Sequence, residues 1–242
     1  FTLQSDKYVR YRPAYPPELY EFLFSLTVDK SAAWDCGTGN GQVAVELSKF
    51  FEKVYATDIS EKQIKNAVQR DNILYAIERA ERTSFADNSF SMITVAQAIH
   101  WFDFDNFYKE VRRTLIPGGI LAVIGYGVVK IEDDNDHLID NFYGNIIGPY
   151  WDKERKYIDE NYQTIPFPFD DIAAPVFENN FEWTLEEFMG YLETWSAVQH
   201  YIKLKKSTPL ELISKQLEGI WGNNPTKKIA FPILLRVAKI GA

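Results

Sequence analysis

Short apolar runs alternate with longer amphipathic stretches from about residue 17 to residue 125. The apolar runs have the length and the bounding turn residues of buried strands, and they cover residues 31–36, 53–57, 73–77, 90–96 and 120–124. Apolar residues with helical spacing follow Pro17, and proline is well suited to the first turn of a helix. The same spacing recurs over 42–51, 60–68 and 104–115. This alternation predicts an α/β fold with a doubly wound, mostly parallel sheet and helices on both faces.

The pattern changes after residue 128. Residues 135–163 are aromatic-rich and have helical spacing, residues 176–183 alternate like a strand, and residues 184–221 predict two or three helices. Branched aliphatic residues then predict a last strand over 228–240. We interpret residues 129–221 as a helical lid inserted into the sheet topology of a single domain, 1–242.

A glycine-rich segment, Asp35-Cys36-Gly37-Thr38-Gly39-Asn40-Gly41, follows the first predicted strand and opens a predicted helix. Glycine lets the chain turn sharply and lets a ligand approach the backbone, and the N–H groups at a helix N-terminus can face a polar ligand. Dinucleotide-binding enzymes have their third glycine one residue later, at the position of Gln42. That difference counts against NAD, and no Gly-Lys-Ser or Gly-Lys-Thr follows to complete a P-loop.

Asp58 stands at the end of the second predicted strand, 21 residues after Gly37. In a doubly wound sheet this position meets a ribose that is bound over the first strand, and a carboxylate there can accept hydrogen bonds from both ribose hydroxyls. The alternative is an acidic residue that only stabilises a helix N-terminus. The distance from the glycine loop favours the ribose.

Charge and cysteine content argue against several classes of binding partner. The net charge is −8, from 26 Lys and Arg against 34 Asp and Glu, so no general attraction to nucleic acid or to anionic membranes is expected. Cys36 is the single cysteine, which excludes an internal disulfide and a thiolate metal site, and we expect no metal. It suits a reducing compartment, the cytoplasm. No apolar run reaches the roughly 20 residues of a membrane span.

These motifs together resemble the class I S-adenosylmethionine-dependent methyltransferases, of the type 11 group. The resemblance is carried by the glycine loop, by Asp58 and by Pro117-Gly118-Gly119, and it covers most of residues 31–125. Small-molecule enzymes that include trans-aconitate methyltransferase look most similar within the family. They share a segment like Tyr8 to Pro16, a segment like His100-Trp101-Phe102 and a pair like Trp195-Ser196.

The resemblance implies a seven-stranded sheet of order 3-2-1-4-5-7-6 with the last strand antiparallel. It also implies S-adenosyl-L-methionine as the cofactor and S-adenosyl-L-homocysteine as the product. The implied cofactor-binding residues are Asp35, Gly37, Thr38, Gly39, Gly41, Asp58, Ile59, Ala80, Glu81, Gln97, Ala98 and Trp101. Glu81 stands where the family often has Asp, and a solvated surface acid is the alternative for it.

The implied reaction is methyl transfer to an oxygen or nitrogen of a small molecule, a carboxylic acid being one expected acceptor. Segment 1–16 would lie over the active site. His100 and Tyr8 are the candidate catalytic residues, and His100 either takes a proton from the acceptor or only shapes the pocket. The candidate substrate-binding residues are Arg12, Tyr15, Trp195 and His200. For the aromatic residues the choice lies between attraction to a sulfonium and core packing.

Other functions stay open at this point. An NAD-dependent oxidoreductase is one, although Gln42 opposes it. A protein that binds the cofactor without turnover is another, and an RNA methyltransferase is a third that the charge disfavours. A monomer or a homodimer is expected.

Overall fold

The computed structural model describes residues 11, 13–27, 29–132 and 136–241. The strands in this part of the chain are β1 (Ala32–Cys36), β2 (Lys53–Asp58), β3 (Ile73–Ile77), β4 (Phe90–Ala96), β5 (Leu115–Tyr126), β6 (Lys130–Ile131), β7 (Glu178–Trp183) and β8 (Lys227–Ile240). The α-helices are α1 (Pro17–Ser25), α2 (Gln42–Leu47), α3 (Glu61–Lys65), α4 (Phe104–Thr114), α5 (Asp136–Asn141), α6 (Lys156–Asp159), α7 (Leu185–Glu193), α8 (Ser196–Lys205) and α9 (Ser214–Trp221).

The hydrogen-bonded strand order is β3-β2-β1-β4-β5-β8-β6, and β7 also pairs with β8. Strands β1 to β5 run parallel to one another, whereas β8 is antiparallel to β5, from Gly119 opposite Ile240 to Tyr126 opposite Ile233. The predicted fold class is therefore confirmed, including the antiparallel last strand. Because parallel strands end at the same edge, the loops after β1, β2 and β4 meet there.

The chain divides into two compact units. The sheet unit contains the described residues of Pro16–Tyr126, Tyr157–Phe177 and Ile233–Ala242. The second unit contains those of Phe1–Tyr15, Gly127–Lys156 and Glu178–Pro232. Residues 157–177, which fall within the predicted lid 129–221, thus belong to the sheet unit, and the single domain with its lid stays a prediction.

The core of the sheet unit forms where apolar residues from β1, β4 and β5 meet α4. Trp34, Phe90 and Phe107 are each at most 1% exposed, and Trp34 lies edge-on to Phe107 with ring centroids 6.5 Å apart. Ile158 and Tyr162 join the same cluster. Fully burying side chains of this size contributes about 1.5–3 kcal/mol each, so this cluster fixes the sheet on which the glycine loop is built.

Local signals explain where several helices begin. Pro17 occupies the first turn of α1, and the Asp103 carboxylate accepts the Asn106 N–H at the start of α4. In α7, Thr184 and Glu187 form a full capping box. Each such cap stabilises a helix by about 1 kcal/mol.

Two regions differ in detail from the sequence-based prediction. The described residues 136–163 of the segment predicted as helical form short pieces, namely α5, a π-helix over Phe142–Ile146, two 3₁₀ turns and α6. Strand β5 begins earlier than predicted, and its pairing with β4 shifts register after Phe90, because Pro117-Gly118-Gly119 bulges out with Gly118 at φ +79°. No helix among the described residues is both long and apolar enough to cross a bilayer.

Replacing Tyr108 with phenylalanine is expected to stabilise the protein. Tyr108 is 2% exposed, and its hydroxyl has no hydrogen-bond partner among the described residues. A buried unsatisfied hydroxyl costs about 1–3 kcal/mol, so Tyr108→Phe should raise the free energy of unfolding by about 1 kcal/mol in urea denaturation. A lower free energy of unfolding for the variant than for the wild type would show that the Tyr108 hydroxyl makes a stabilising hydrogen bond.

Candidate active site

The glycine loop crosses from β1 to α2 and is held by the backbone of β2. The N–H groups of Gly37 and Thr38 both donate to the Thr57 carbonyl, at 2.8 and 2.9 Å. Gly37, Gly39 and Gly41 have φ of +71°, +56° and +85°, a region that residues with a Cβ rarely adopt. The glycines are therefore required by the path of the loop itself.

Asp35 ties the loop to the sheet from below. It is 1% exposed, and its two carboxylate oxygens accept the hydroxyls of Thr38 at 2.5 Å and of Thr94 at 2.8 Å. Burial raises the pKa of Asp35 to about 6, against the opposing effect of the Thr38, Thr94 and Ala44 hydrogen bonds. Asp35 thus holds Thr38 in place, while its expected place beside the cofactor's amino group stays a prediction.

The raised pKa of Asp35 predicts a pH dependence of stability. Because the folded-state pKa lies above the ordinary value of 3.8, the folded protein binds this proton more tightly than the unfolded chain does. Stability from this group is therefore full below about pH 4 and is lost as the pH rises towards 6.

Asp35→Asn isolates this effect. The free-energy difference between wild type and the variant should shift against the wild type by about 2 kcal/mol between pH 4 and pH 7. The measurement is urea unfolding of both proteins at each pH, and a difference that does not change with pH would refute the raised pKa.

Asp58 closes the loop from the end of β2. Its Oδ2 atom accepts the Gly39 N–H at 2.9 Å, and its Oδ1 atom accepts the Ser60 N–H at 2.8 Å. The Ser60 hydroxyl in turn accepts the Gln63 N–H and caps α3. Each carboxylate oxygen has more than one lone pair, so both can also accept hydrogen bonds from a ligand.

The carboxyl edge of the sheet offers a surface that fits a nucleoside. A Cβ added to Gly39 would meet no atom of the described residues within 4 Å, so none of these residues covers the loop there. Ile59, Ile77 and Trp101 are 74%, 54% and 55% exposed, and Ile77 is the register partner of Asp58. A loop left uncovered by the described residues, a carboxylate and exposed apolar side chains match a ribose joined to a flat base.

Ala80 and Glu81 follow β3. Ala80 is buried in the core cluster of the sheet unit, whereas Glu81 is partly buried. The Glu81 carboxylate accepts the Asp103 N–H at 3.2 Å and lies 3.4 Å from the Arg79 guanidinium. Glu81 therefore links the loop after β3 to the start of α4, and its contact with adenine stays a prediction.

Gln97 and Ala98 continue β4 towards the loop. Gln97 has φ +53°, a conformation that is uncommon outside glycine and is enriched at functional sites. It is held by two bonds, from its N–H to the Ile124 carbonyl at 2.9 Å and from its Nε2 to the Tyr126 carbonyl at 3.3 Å. Ala98 lies against the glycine loop, since a Cβ on Gly37 would stand 2.6 Å from the Ala98 Cβ.

His100 sits in a 3₁₀ turn, Ile99–Trp101, directly after Ala98. It is 8% exposed, and its ring centroid lies 5.1 Å from that of Trp101 and 6.4 Å from that of Tyr162. Tyr162 has φ +60° and packs over Gly125, where a Cβ would lie 2.7 Å from the ring. A buried ring next to the rings of Trp101 and Tyr162 suits both a proton acceptor and a residue of the pocket wall, and both roles stay predictions.

The remaining predicted site residues belong to the second unit or fall outside the described residues. Tyr15, Trp195 and His200 belong to the second unit, where Trp195 is 2% exposed and has its ring 5.6 Å from that of Trp151. His200 Nδ1 lies 2.9 Å from the Tyr150 carbonyl oxygen. Tyr8 and Arg12 lie outside the described residues. The catalytic and substrate-binding roles of these five residues stay predictions.

Three residues beside the site had no motif to reveal them. Tyr75 of β3 contacts Gly41, Ile77 ends β3 next to Asp58, and Tyr162 contacts His100. Tyr75 and Ile77 belong to a strand that the sequence did predict, so the register of a parallel sheet could have placed Ile77 at the edge. Tyr162 comes from a segment that only tertiary packing brings there.

Comparisons with known proteins point in one direction. A family model described as a methyltransferase domain matches residues 34–123. A protein of Dictyostelium discoideum described as a methyltransferase is 33% identical over 243 residues, which cover 97% of this chain and 92% of that protein.

Solved structures agree with this. A protein described as a type II methyltransferase from Anaeromyxobacter dehalogenans has a TM-score of 0.88 at 36% identity, over 95% of this chain and 98% of that one. A protein of Bacillus halodurans C-125 described as a methyltransferase has a TM-score of 0.55 at 19% identity, over 94% of this chain and 100% of that one, and shows the fold alone.

Proposed function

This chain belongs to the class I S-adenosylmethionine-dependent methyltransferases, and from that premise we propose that it methylates an oxygen or nitrogen of a small molecule. A carboxylic acid is the first acceptor class to test. We also propose that the chain belongs with the small-molecule enzymes that include trans-aconitate methyltransferase, because it shares the motifs around Tyr8, His100 and Trp195.

The proposal depends first on the cofactor site, and the observation that supports this site is that both oxygens of the Asp58 carboxylate accept backbone N–H groups. This carboxylate holds both the glycine loop, through Gly39, and the start of α3, through Ser60. The hydroxyls of a ribose bound there would meet a carboxylate hydrogen-bond acceptor that is already oriented. The residues that would hold the cofactor are the loop Gly37–Gly41 with Thr38, the ribose acceptor Asp58, the apolar Ile59 and Trp101, and the edge formed by Ala80, Glu81, Gln97 and Ala98, with Asp35 beneath the loop.

When bound, S-adenosylmethionine supplies an activated methyl group on a sulfonium centre. Transfer of that group requires alignment and exclusion of water more than covalent help, and alignment alone can lower a barrier by about 7–11 kcal/mol. The chain's residues therefore mainly bind and orient.

His100 has a conditional role. If the acceptor is an alcohol or an amine, the His100 imidazole accepts the proton that the acceptor releases. If the acceptor is a carboxylate, no proton has to leave, and His100 only bounds the pocket. A His100→Gln variant therefore separates the two acceptor classes, because it slows methylation of the first class and spares the second.

A small acceptor fits the charge of the protein better than a nucleic acid does. The net charge of −8 works against phosphate-rich partners. Within the proposal, residues 129–221 determine which acceptor is used, since peripheral regions vary freely on one fold and determine specificity.

Labelled methyl transfer tests the proposed function. The enzyme is incubated with methyl-labelled S-adenosylmethionine and, in parallel, with a small-molecule extract, RNA and protein. We expect label in acidic small molecules, released as methanol by mild base if the product is a methyl ester. Label only in RNA or in protein would contradict the small-molecule acceptor, and no label in any fraction would favour a protein that binds the cofactor without turnover.

A further inference from the structure

Tyr75 lies in the middle of β3 and reaches the far end of the glycine loop. Its neighbour in β2 is Ala56, so its side chain projects from the same face of the sheet as that of Ala56. A Cβ on Gly41 would overlap the Tyr75 hydroxyl oxygen and would stand 3.1 Å from Cζ. The Tyr75 side chain therefore fills the space in which any larger residue at position 41 would have to lie.

The Tyr75 hydroxyl is also part of a hydrogen-bonded chain. It donates to the Val68 carbonyl at 2.7 Å, and the Val68 N–H donates to the Asn40 carbonyl at 3.2 Å. Asn40 is 8% exposed and directly precedes Gly41. Val68 thus joins Tyr75 to the loop residue that leads into α2.

The glycine loop is consequently held at both ends. Thr57, Asp35 and Asp58 fix its first part, Gly37–Gly39, and the Tyr75 arrangement fixes its last part, Asn40–Gly41. The direction of the loop N–H groups determines what a bound ligand meets. A loop that is loose at one end would have to be ordered on binding, which weakens affinity.

We propose that Tyr75 is a positioning residue for the cofactor, acting through Gly41 and Val68 to hold the glycine loop in its binding conformation. This rests on the proposed function, because the loop must be the cofactor site. It also accounts for the third glycine at position 41: Tyr75 occupies the space where a side chain would go. Burial and the nearby Asp35 raise the pKa of Tyr75 to about 12, in keeping with a hydroxyl that donates to the Val68 carbonyl.

The test is a double-mutant cycle with calorimetric binding of S-adenosylhomocysteine. Tyr75→Phe removes the hydroxyl, and affinity should fall about fivefold to tenfold, as expected for one lost hydrogen bond. Gly41→Ala should bind at least tenfold more weakly than Tyr75→Phe, because it adds overlap with Tyr75 to a backbone of positive φ. In the Tyr75→Phe background the same Gly41→Ala change should cost less, because the overlapping oxygen is gone.

The control is Tyr55→Phe, the same chemical change on β2. Tyr55 packs on the opposite face of the sheet, with its ring 5.4 Å from that of Phe85. The Tyr55→Phe protein should therefore bind S-adenosylhomocysteine with the affinity of the wild type. If Gly41→Ala does not fold, amide hydrogen exchange on Tyr75→Phe replaces the cycle. Exchange at the Val68 and Gly41 amides should be faster in this variant than in the wild type.

The outcomes separate the inference from the proposed function. A wild type that binds while Tyr75→Phe binds within twofold of it would overturn the role of Tyr75 alone. An equal cost of Gly41→Ala in both backgrounds would do the same. A wild type that does not bind S-adenosylhomocysteine would refute the cofactor site itself and this inference with it.

Discussion

Asp58→Ala is expected to weaken S-adenosylhomocysteine binding at least about 100-fold. The variant loses a charged acceptor for ribose hydroxyls, and hydrogen bonds to charged groups contribute about 1.5–3 kcal/mol each. It also releases the Gly39 and Ser60 N–H groups that the carboxylate now holds at 2.9 and 2.8 Å. Binding energy and loop order are therefore lost together. Isothermal titration calorimetry of folded wild type and variant measures the change.

Two further variants interpret the Asp58 result. Asp71→Ala makes the same charge change at an exposed position before β3 and should bind like the wild type. Asp58→Asn keeps one carbonyl oxygen and should lie between wild type and Asp58→Ala. An Asp58→Ala protein that binds within threefold of wild type would reduce Asp58 to an acid that only caps the loop and the helix.

Gly37→Ala should lower the free energy of unfolding by about 3 kcal/mol, from a left-handed backbone cost of about 1–2 kcal/mol and a similar cost of overpacking. The glycine has φ +71°, and the added methyl group would stand 2.6 Å from the Ala98 Cβ. Neither the strand end nor the loop can move away easily, because the Gly37 N–H is bound to the Thr57 carbonyl. Urea unfolding followed by circular dichroism gives the value.

Gly39→Ala is the matched control for Gly37→Ala. Gly39 also has a positive φ, +56°, but its added Cβ would meet no atom of the described residues within 4 Å. It should therefore lose only the backbone contribution, about 1 kcal/mol. Equal losses at the two positions would mean that the contact with Ala98 does not constrain Gly37.

The sheet could be predicted because each strand carries its own signal. The apolar runs ending at Cys36, Thr57 and Ala96 are bounded by glycine, aspartate or polar turns, and the structure confirms them within about a residue. Burial of both faces makes such strands nearly continuous in hydrophobicity. The glycine loop and Asp58 were also predictable from local sequence, because each directly follows a predicted strand and precedes a predicted helix.

The second half was less predictable because its structure depends on tertiary packing. Aromatic residues around Tyr143, Trp151 and Trp195 pack against one another with ring centroids 4.8–5.6 Å apart. Such packing stabilises short helical pieces that have weak individual signals. The contacts of Tyr75 and Tyr162 with the site also arise between residues distant in sequence, so no local spacing reveals them.

Asp35 shows how far a motif determines chemistry. The motif predicts that Asp35 lies beside the cofactor, and this stays a prediction. The structure shows Asp35 in β1, with both carboxylate oxygens accepting threonine hydroxyls. The partners Thr38 and Thr94 are 3 and 59 residues away, and only the first lies within the motif. The buried strand position of Asp35 was predictable, whereas its hydrogen bond with Thr94, 59 residues away, was not.

Calorimetric titration of the wild-type protein with S-adenosylmethionine, S-adenosylhomocysteine and NAD tests the cofactor assignment most directly. We expect micromolar binding of the first two ligands and no heat of binding with NAD, because the third glycine stands at position 41 and not one residue later. Binding of NAD, or the absence of binding of both S-adenosyl compounds, would contradict the account and would leave the fold without its proposed cofactor.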